Sequence, residues 1–168
     1  MCGKFGACRL SSDLHTILLL NKKDVLTSNV GSQNELLKQL LSITASTNEL
    51  LPELRVVPLA VNQVLYEQED SIESVYFPLD SVVSEVAILK DGATIETSMV
   101  CCDGVVGIST LLNNNISRQW IWVTIAGNAI QVDSQLLGEV IIHHEKSAYV
   151  VDELLRITDH TSVLALCL

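Results

Sequence analysis

The segment Cys101 to Trp120, CCDGVVGISTLLNNNISRQW, gathers the residue types that hold an anion. Gly104 and Gly107 flank a short apolar run, three asparagines follow, and Arg118 comes near the end. Glycine lets a backbone come close to a ligand. N–H groups at a helix start carry partial positive charge, and a guanidinium grips two phosphate oxygens at once. The other clusters carry less. His143, His144 and Glu145 are consecutive, so on a helix they point roughly 100° apart and lack the spacing of a metal site; no metal is expected there. Cys101 and Cys102, read as strand residues, alternate between core and exterior. The five cysteines form no C-x-x-C pair, which fits neither a disulfide framework nor a zinc or iron–sulfur site. Nucleophile elbow, P-loop, dinucleotide fingerprint and metalloprotease helix are all missing. The carboxylates Asp70, Glu73, Asp80 and Glu85 fall in or beside turns, where hydration accounts for them, so the expectation is a protein that is not an enzyme.

The chain around these residues is that of one folded domain. It has 168 residues, 48% hydrophobic and 18% charged, far from the composition of a disordered chain. Its net charge is -10, with only Lys22 and Lys23 as adjacent cations. Binding to DNA phosphates needs clustered Lys and Arg, so no nucleic-acid partner is expected for this chain alone. The N-terminus has no charged n-region leading into an apolar core, and TILLL is too short for a membrane span. The reading is cytoplasmic, with no membrane partner.

Residues 1–31 read as an appendage or arm. A capping box at Ser32 to Glu35 introduces an amphipathic helix through Leu36, Leu37, Leu40 and Leu41. A second cap at Ser46 to Glu49 starts a segment that Pro52 cuts short. Short runs rich in Val, Ile, Tyr and Trp then follow: LRVVPL, QVLYEQ, SVYFPL, SVVSEVAIL, TIETSMV, RQWIWVTIA and AIQV. Turn residues separate them, the pattern of an antiparallel sandwich or barrel. The clearest hairpin is KDGA at 90–93, where Asp-Gly suits a type I′ turn. Trp120 and Trp122 share one strand face, read as packing rather than a ligand cage. From about Ser147 the pattern is helical again. Val150, Leu154, Ile157, Thr161, Leu164 and Leu168 form a heptad-like seam that predicts a dimer helix, with docking on the chain's own sandwich as the alternative.

This series of motifs resembles the cyclic-nucleotide-binding domain of the Crp/Fnr family of bacterial regulators. VNQVLYEQED (61–70), SVYFPLDSVVS (74–84), DGATIETSMVCCDGVVG (91–107) and RQWIWVTIAGNAIQV (118–132) carry the likeness, which extends over residues 33–168. It implies a mainly β fold with flanking helices: a double-stranded β-helix, or jelly roll, at 32–146 with its entry helix, then a dimerisation helix at 147–168. It also implies a phosphate-binding cassette at Gly104, Val105, Val106, Gly107, Ser117 and Arg118. The chemistry of that cassette departs from the family. Val105 stands where binding relatives have the glutamate that accepts the ribose hydroxyl, and Gln119 and Trp120 follow the arginine where relatives have a small hydroxyl residue and alanine; Ser117 is the one nearby hydroxyl. Two turn glycines of the family are replaced, by Asn62 and by Glu69, and a positive φ retained at Glu69 implies strain of about 1 kcal/mol or more.

The expectation is therefore a sensory or regulatory domain with a degenerate pocket plugged by GVVGISTLL, without a cofactor, with a cyclic nucleotide disfavoured, and lacking the DNA-reading helix-turn-helix. It would act as a homodimer or through a protein partner. The alternatives are a receptor for a cyclic nucleotide or another anionic metabolite, and the truncated remnant of a transcription regulator.

Overall fold

The computed structural model describes residues 34–43, 53–89, 91–109 and 115–142. The N-terminal arm, Ser32, the cap at 46–49, Pro52, the His143–Glu145 cluster and the seam from Val150 to Leu168 lie outside them.

Among the described residues, seven strands form two antiparallel sheets, as the alternating apolar runs require. In chain order the elements are α1 (Glu35–Ile43), β1 (Arg55–Leu59), β2 (Val64–Tyr66), β3 (Ser74–Pro78), β4 (Val82–Ile88), β5 (Thr94–Val100), β6 (Trp120–Ile125), β7 (Gly127–Asp133) and α2 (Ser134–Ile142). One sheet runs β1-β7-β3 and the other β2-β6-β4-β5. Pro58 and Pro78 fall on β1 and β3, the two edge strands of the smaller sheet, where a missing N–H is tolerated.

Strand alternation divides the buried side chains into two layers. Val75 and Phe77 of β3 and Ile130 and Val132 of β7 pack with Leu36, Leu37 and Leu40 of α1 and Leu137, Val140 and Ile141 of α2. Val83, Val100, Ile121, Val123 and Tyr66 of the four-stranded sheet pack with Leu59 and Ala129 of the three-stranded one. The smaller sheet thus has the helices on one face and the larger sheet on the other. The result is the expected mainly β, jelly-roll-like sandwich with flanking helices.

Local details depart from the sequence reading at four places. Helix α1 starts at Glu35, and its cap is Asn34, whose Oδ1 accepts from Leu37 N at 2.9 Å; the cap lies two residues beyond Ser32. Helix α2 falls where the sequence suggested no helix. Asp133 caps it, with Oδ1 accepting from Gln135 N and Leu136 N. The KDGA hairpin forms where expected, but of its two central residues only Gly92 takes positive φ, at 85°. Gly92 N donates to Leu89 O and Leu89 N to Ala93 O, a wider loop than the two-residue type I′ turn. Finally, β5 ends at Val100, so Cys101 and Cys102 lie in the following turn, both half-buried, rather than on opposite strand faces.

Among the described residues, the positive-φ residues other than glycine are Asn62, at 62°, and Glu69, at 74°, the two positions where the resemblance implied lost glycines. Each is held by a backbone bond to the strand beside it or to its approach: Asn62 N donates to Val123 O and Glu69 N to Ser117 O, both at 2.8 Å. Asparagine tolerates this geometry; glutamate does not. Replacing Glu69 by glycine relieves the strain but adds freedom to the unfolded chain. The expected net effect is a stabilisation of about 0.5–1 kcal/mol, read as a higher urea midpoint with an unchanged slope, whereas Glu69→Ala leaves the midpoint close to the wild type.

Candidate functional site

The cassette lies between β5 and β6, and a buried amide places its first half. Asn34 is fully buried, and while its Oδ1 caps α1, its Nδ2 lies 2.9 Å from both Pro78 O and Gly104 O. Glu35 N donates to Cys102 O at 3.2 Å. One side chain and the helix start thus fasten the turn at 101–104 to the end of β3.

Beyond Gly104 the chain is extended rather than helical. Val106 N donates to Tyr76 O at 2.8 Å and Tyr76 N to Val106 O at 3.0 Å, an isolated antiparallel bridge that adds this segment to the edge of β3. Alternation then sends the two valines to opposite layers: Val105 packs with α1 and the helix-side core, and Val106, fully buried, enters the sandwich core. A helical turn begins only at Ile108, after Gly107. Gly107 has φ 87°, and a Cβ there would lie 3.0 Å from Ser74 O and 3.1 Å from Ile72 Cγ2, so both conformation and space demand glycine. The residue heading the turn is Ile108, which has no more hydrogen-bonding capacity than Val105.

The second half of the cassette is also committed to the fold. Residues 116–118 run beside 69–71, with Ser117 N donating to Asp70 O and an isolated bridge between Ser71 and Ile116. Ser117 is buried, and its hydroxyl donates to Gln119 O at 2.7 Å. Gln119 Oε1 accepts from Thr97 Oγ1 at 2.7 Å. The hydroxyl expected near the arginine therefore holds the backbone of its own strand. Arg118 itself is exposed, whereas the valines of the cassette are buried on its other arm.

Glu85, which the sequence reading treated as a hydrated turn carboxylate, lies in a row inside the sandwich. Cross-strand pairing aligns Ser98 of β5, Glu85 of β4, Ile121 of β6 and Tyr66 of β2 on the inner face, one row along from Val100, Val83 and Val123. Tyr66 crosses to the other sheet, donating from its hydroxyl to Ser74 O at 2.5 Å and accepting from Ser74 N. Its ring lies 6.2 Å from that of Tyr76, and Gln131 Nε2 reaches Ser74 Oγ and Tyr76 Oη. Burial foremost, followed by the neighbouring Tyr76, pushes the Tyr66 hydroxyl well above its ordinary value. Burial also raises the Glu85 carboxyl above the usual carboxylate range. Glu85 is a strand residue, not a turn residue, and the signal that marks it is its place in the alternation of VVSEVAI: two residues from Val83, it shares the inward face.

Among the described residues, no group of three or more His, Cys, Asp or Glu side chains is placed to hold a metal ion, and no helix is long and apolar enough to cross a membrane.

No protein-family model and no curated protein matches the sequence. Solved structures do match in fold. The sensor domain of the transcriptional regulator DNR from Pseudomonas aeruginosa superposes with a TM-score of 0.64 at 11% identity, over 84% of this chain and 93% of that one. FixK2 from Bradyrhizobium japonicum gives 0.54 at 16%, over 64% of this chain and 52% of that one, so the match spans about half of FixK2. The regulatory subunit of a cAMP-independent protein kinase A from Trypanosoma brucei gives 0.57 at 16%, over 80% of this chain and 47% of that one. The fold is that of these regulatory domains, in agreement with the Crp/Fnr-like motif series.

The Glu85 carboxyl has a pH signature. Because its pKa is raised in the fold, the neutral form is favoured there; the associated stability is complete below the ordinary glutamate pKa and is lost as pH rises through the raised value. Glu85→Gln keeps the neutral shape at every pH. The variant is expected to melt above the wild type at pH 7, with the difference closing as pH falls to about 4, measured by thermal unfolding across that range.

Proposed function

We propose that this chain is a non-enzymatic, Crp/Fnr-like sensory or regulatory domain whose cassette no longer takes a cyclic nucleotide, and that it acts through protein contacts, including self-association. The observation that carries this reading is the pair Val105 and Val106. Their side chains fill the two core layers, and the Val106 N–H, which a phosphate would need, is bonded to Tyr76 O. Freeing that segment for a ligand breaks a two-bond bridge and withdraws two buried valines, each contributing roughly 1.5–3 kcal/mol by burial. With a net charge of -10, contact with nucleic acid through these residues is disfavoured. The seam of Val150, Leu154, Ile157, Thr161, Leu164 and Leu168 is the proposed dimer contact, and a cytoplasmic setting goes with the reading.

Thermal unfolding against cyclic mono- and dinucleotides at millimolar concentration tests the pocket. A ligand at 100 times its dissociation constant would stabilise the fold by about 2.7 kcal/mol. The expected result is no shift across the panel; a shift that disappears in Arg118→Ala would overturn the reading in favour of a nucleotide receptor. Light scattering tests self-association. A dimer mass at micromolar concentration that falls to the monomer in Leu154→Asp/Leu164→Asp is expected, and a wild-type monomer would remove the dimer from the proposal.

A further inference from the structure

The outer face of the four-stranded sheet carries an apolar row that the core does not use. Register places Val64 of β2 opposite Trp122 of β6, Trp122 opposite Ser84 of β4, and Ser84 opposite Met99 of β5. Their neighbours Trp122↔Val123 and Met99↔Val100 alternate inward, where Val123 and Val100 are core, so this row faces outward. Val64 is 45% and Met99 47% exposed. Ser84, between the indole and the thioether, is buried and shares a hydrogen bond with Thr124 on the same face. The next row adds Trp120, Val86 and Glu96. Both tryptophans of the chain are thus half-buried on one sheet face, and neither belongs to a core layer. Their register neighbours Ser84 and Val86 are buried beneath this face, while Val64 and Met99 at its edges stay open.

The charges choose the partner. None of β2, β4, β5 and β6 contains a Lys or Arg, and the cations among the described residues are Lys38, Arg55 and Arg118, all outside these strands. Glu96 stands on the face itself, in a chain of net charge -10. On this face another acidic surface or an anionic lipid surface would be repelled on approach, whereas a basic segment would be drawn in. Aromatic and methionine side chains are those that accept an apolar stripe from a partner. We infer that this face docks a basic amphipathic segment of another protein, its apolar side on Val64, Trp122 and Met99 and its cations toward Glu96. The inference rests on the protein-contact reading above and gives it a surface separate from both the cassette and the C-terminal seam.

The two tryptophans report on the face without a label. The full chain is titrated at low salt with a short amphipathic peptide of leucine and lysine, and with the same peptide carrying glutamate for lysine. A saturating change in tryptophan emission with the lysine peptide alone, weakened by added salt, is expected. Val64→Ser and Met99→Ser should each weaken binding about tenfold, the equivalent of one buried apolar side chain, at unchanged melting temperature. Val61→Ser, at a site 53% exposed in the β1–β2 turn, should leave binding as it is. The inference is overturned by no response to the lysine peptide, by equal response to both peptides, or by wild-type binding in Val64→Ser/Met99→Ser. It is also overturned if phosphatidylserine vesicles change the emission and the lysine peptide does not, or if self-association is lost in Met99→Ser. A nucleotide-induced thermal shift would unseat the pocket reading and leave this titration unaffected, so the two failures are distinguishable.

Discussion

The amide of Asn34 is the contact on which the arrangement of helix, sheet and cassette depends. A buried side-chain amide must satisfy both its donors and its acceptor or lose about 1–3 kcal/mol for each group left bare. Asn34 meets that demand by joining three pieces of chain distant in sequence: the first turn of α1, the end of β3 at Pro78 and the cassette turn at Gly104. No hydrophobic residue offers this, because apolar contact has no direction. Once these pieces are fixed, Leu36, Leu37 and Leu40 face Val75 and Phe77, and Val105 enters the same layer.

The state of the cassette follows from that anchoring. A segment tied at Gly104 and bridged at Val106 to β3 has the pairing of an edge strand, and strand alternation dictates that consecutive valines fill opposite layers. A ligand cradle needs unpaired N–H groups and a polar floor; this segment spends its N–H on Tyr76 and has valine on both sides. The polar groups that do enter the sandwich, Glu85, Ser98 and the Tyr66–Ser74–Gln131–Tyr76 set, come from the strands.

Local order was legible wherever the cause was local. The seven β-runs, the leucine face of α1 and the turn glycines are written in periodicity and turn chemistry, and the positive-φ sites at Asn62 and Glu69 followed from two missing glycines. Helix α2 carried a readable signal as well, Asp133 as cap with Leu136, Leu137, Val140 and Ile141 at helical spacing, which the sequence reading did not take up. The cap of α1 was misplaced because Ser32 and Asn34 are both good caps. The choice between them was made by Pro78 and Gly104, which only the folded chain brings near.

The sequence by itself determined the class of fold, the order of strands along the chain and the loss of acceptor chemistry at Val105 beside Gly104, since alternation, turn residues and side-chain inventory are properties of neighbours. Tertiary structure alone decided which face of each strand turns inward. Register made Glu85 an inner residue rather than a solvated one, and it set Trp120 and Trp122 on an outer face with Met99 and Val64. Those placements depend on which strands pair and at what offset, and a one-residue shift in pairing would exchange every one of them.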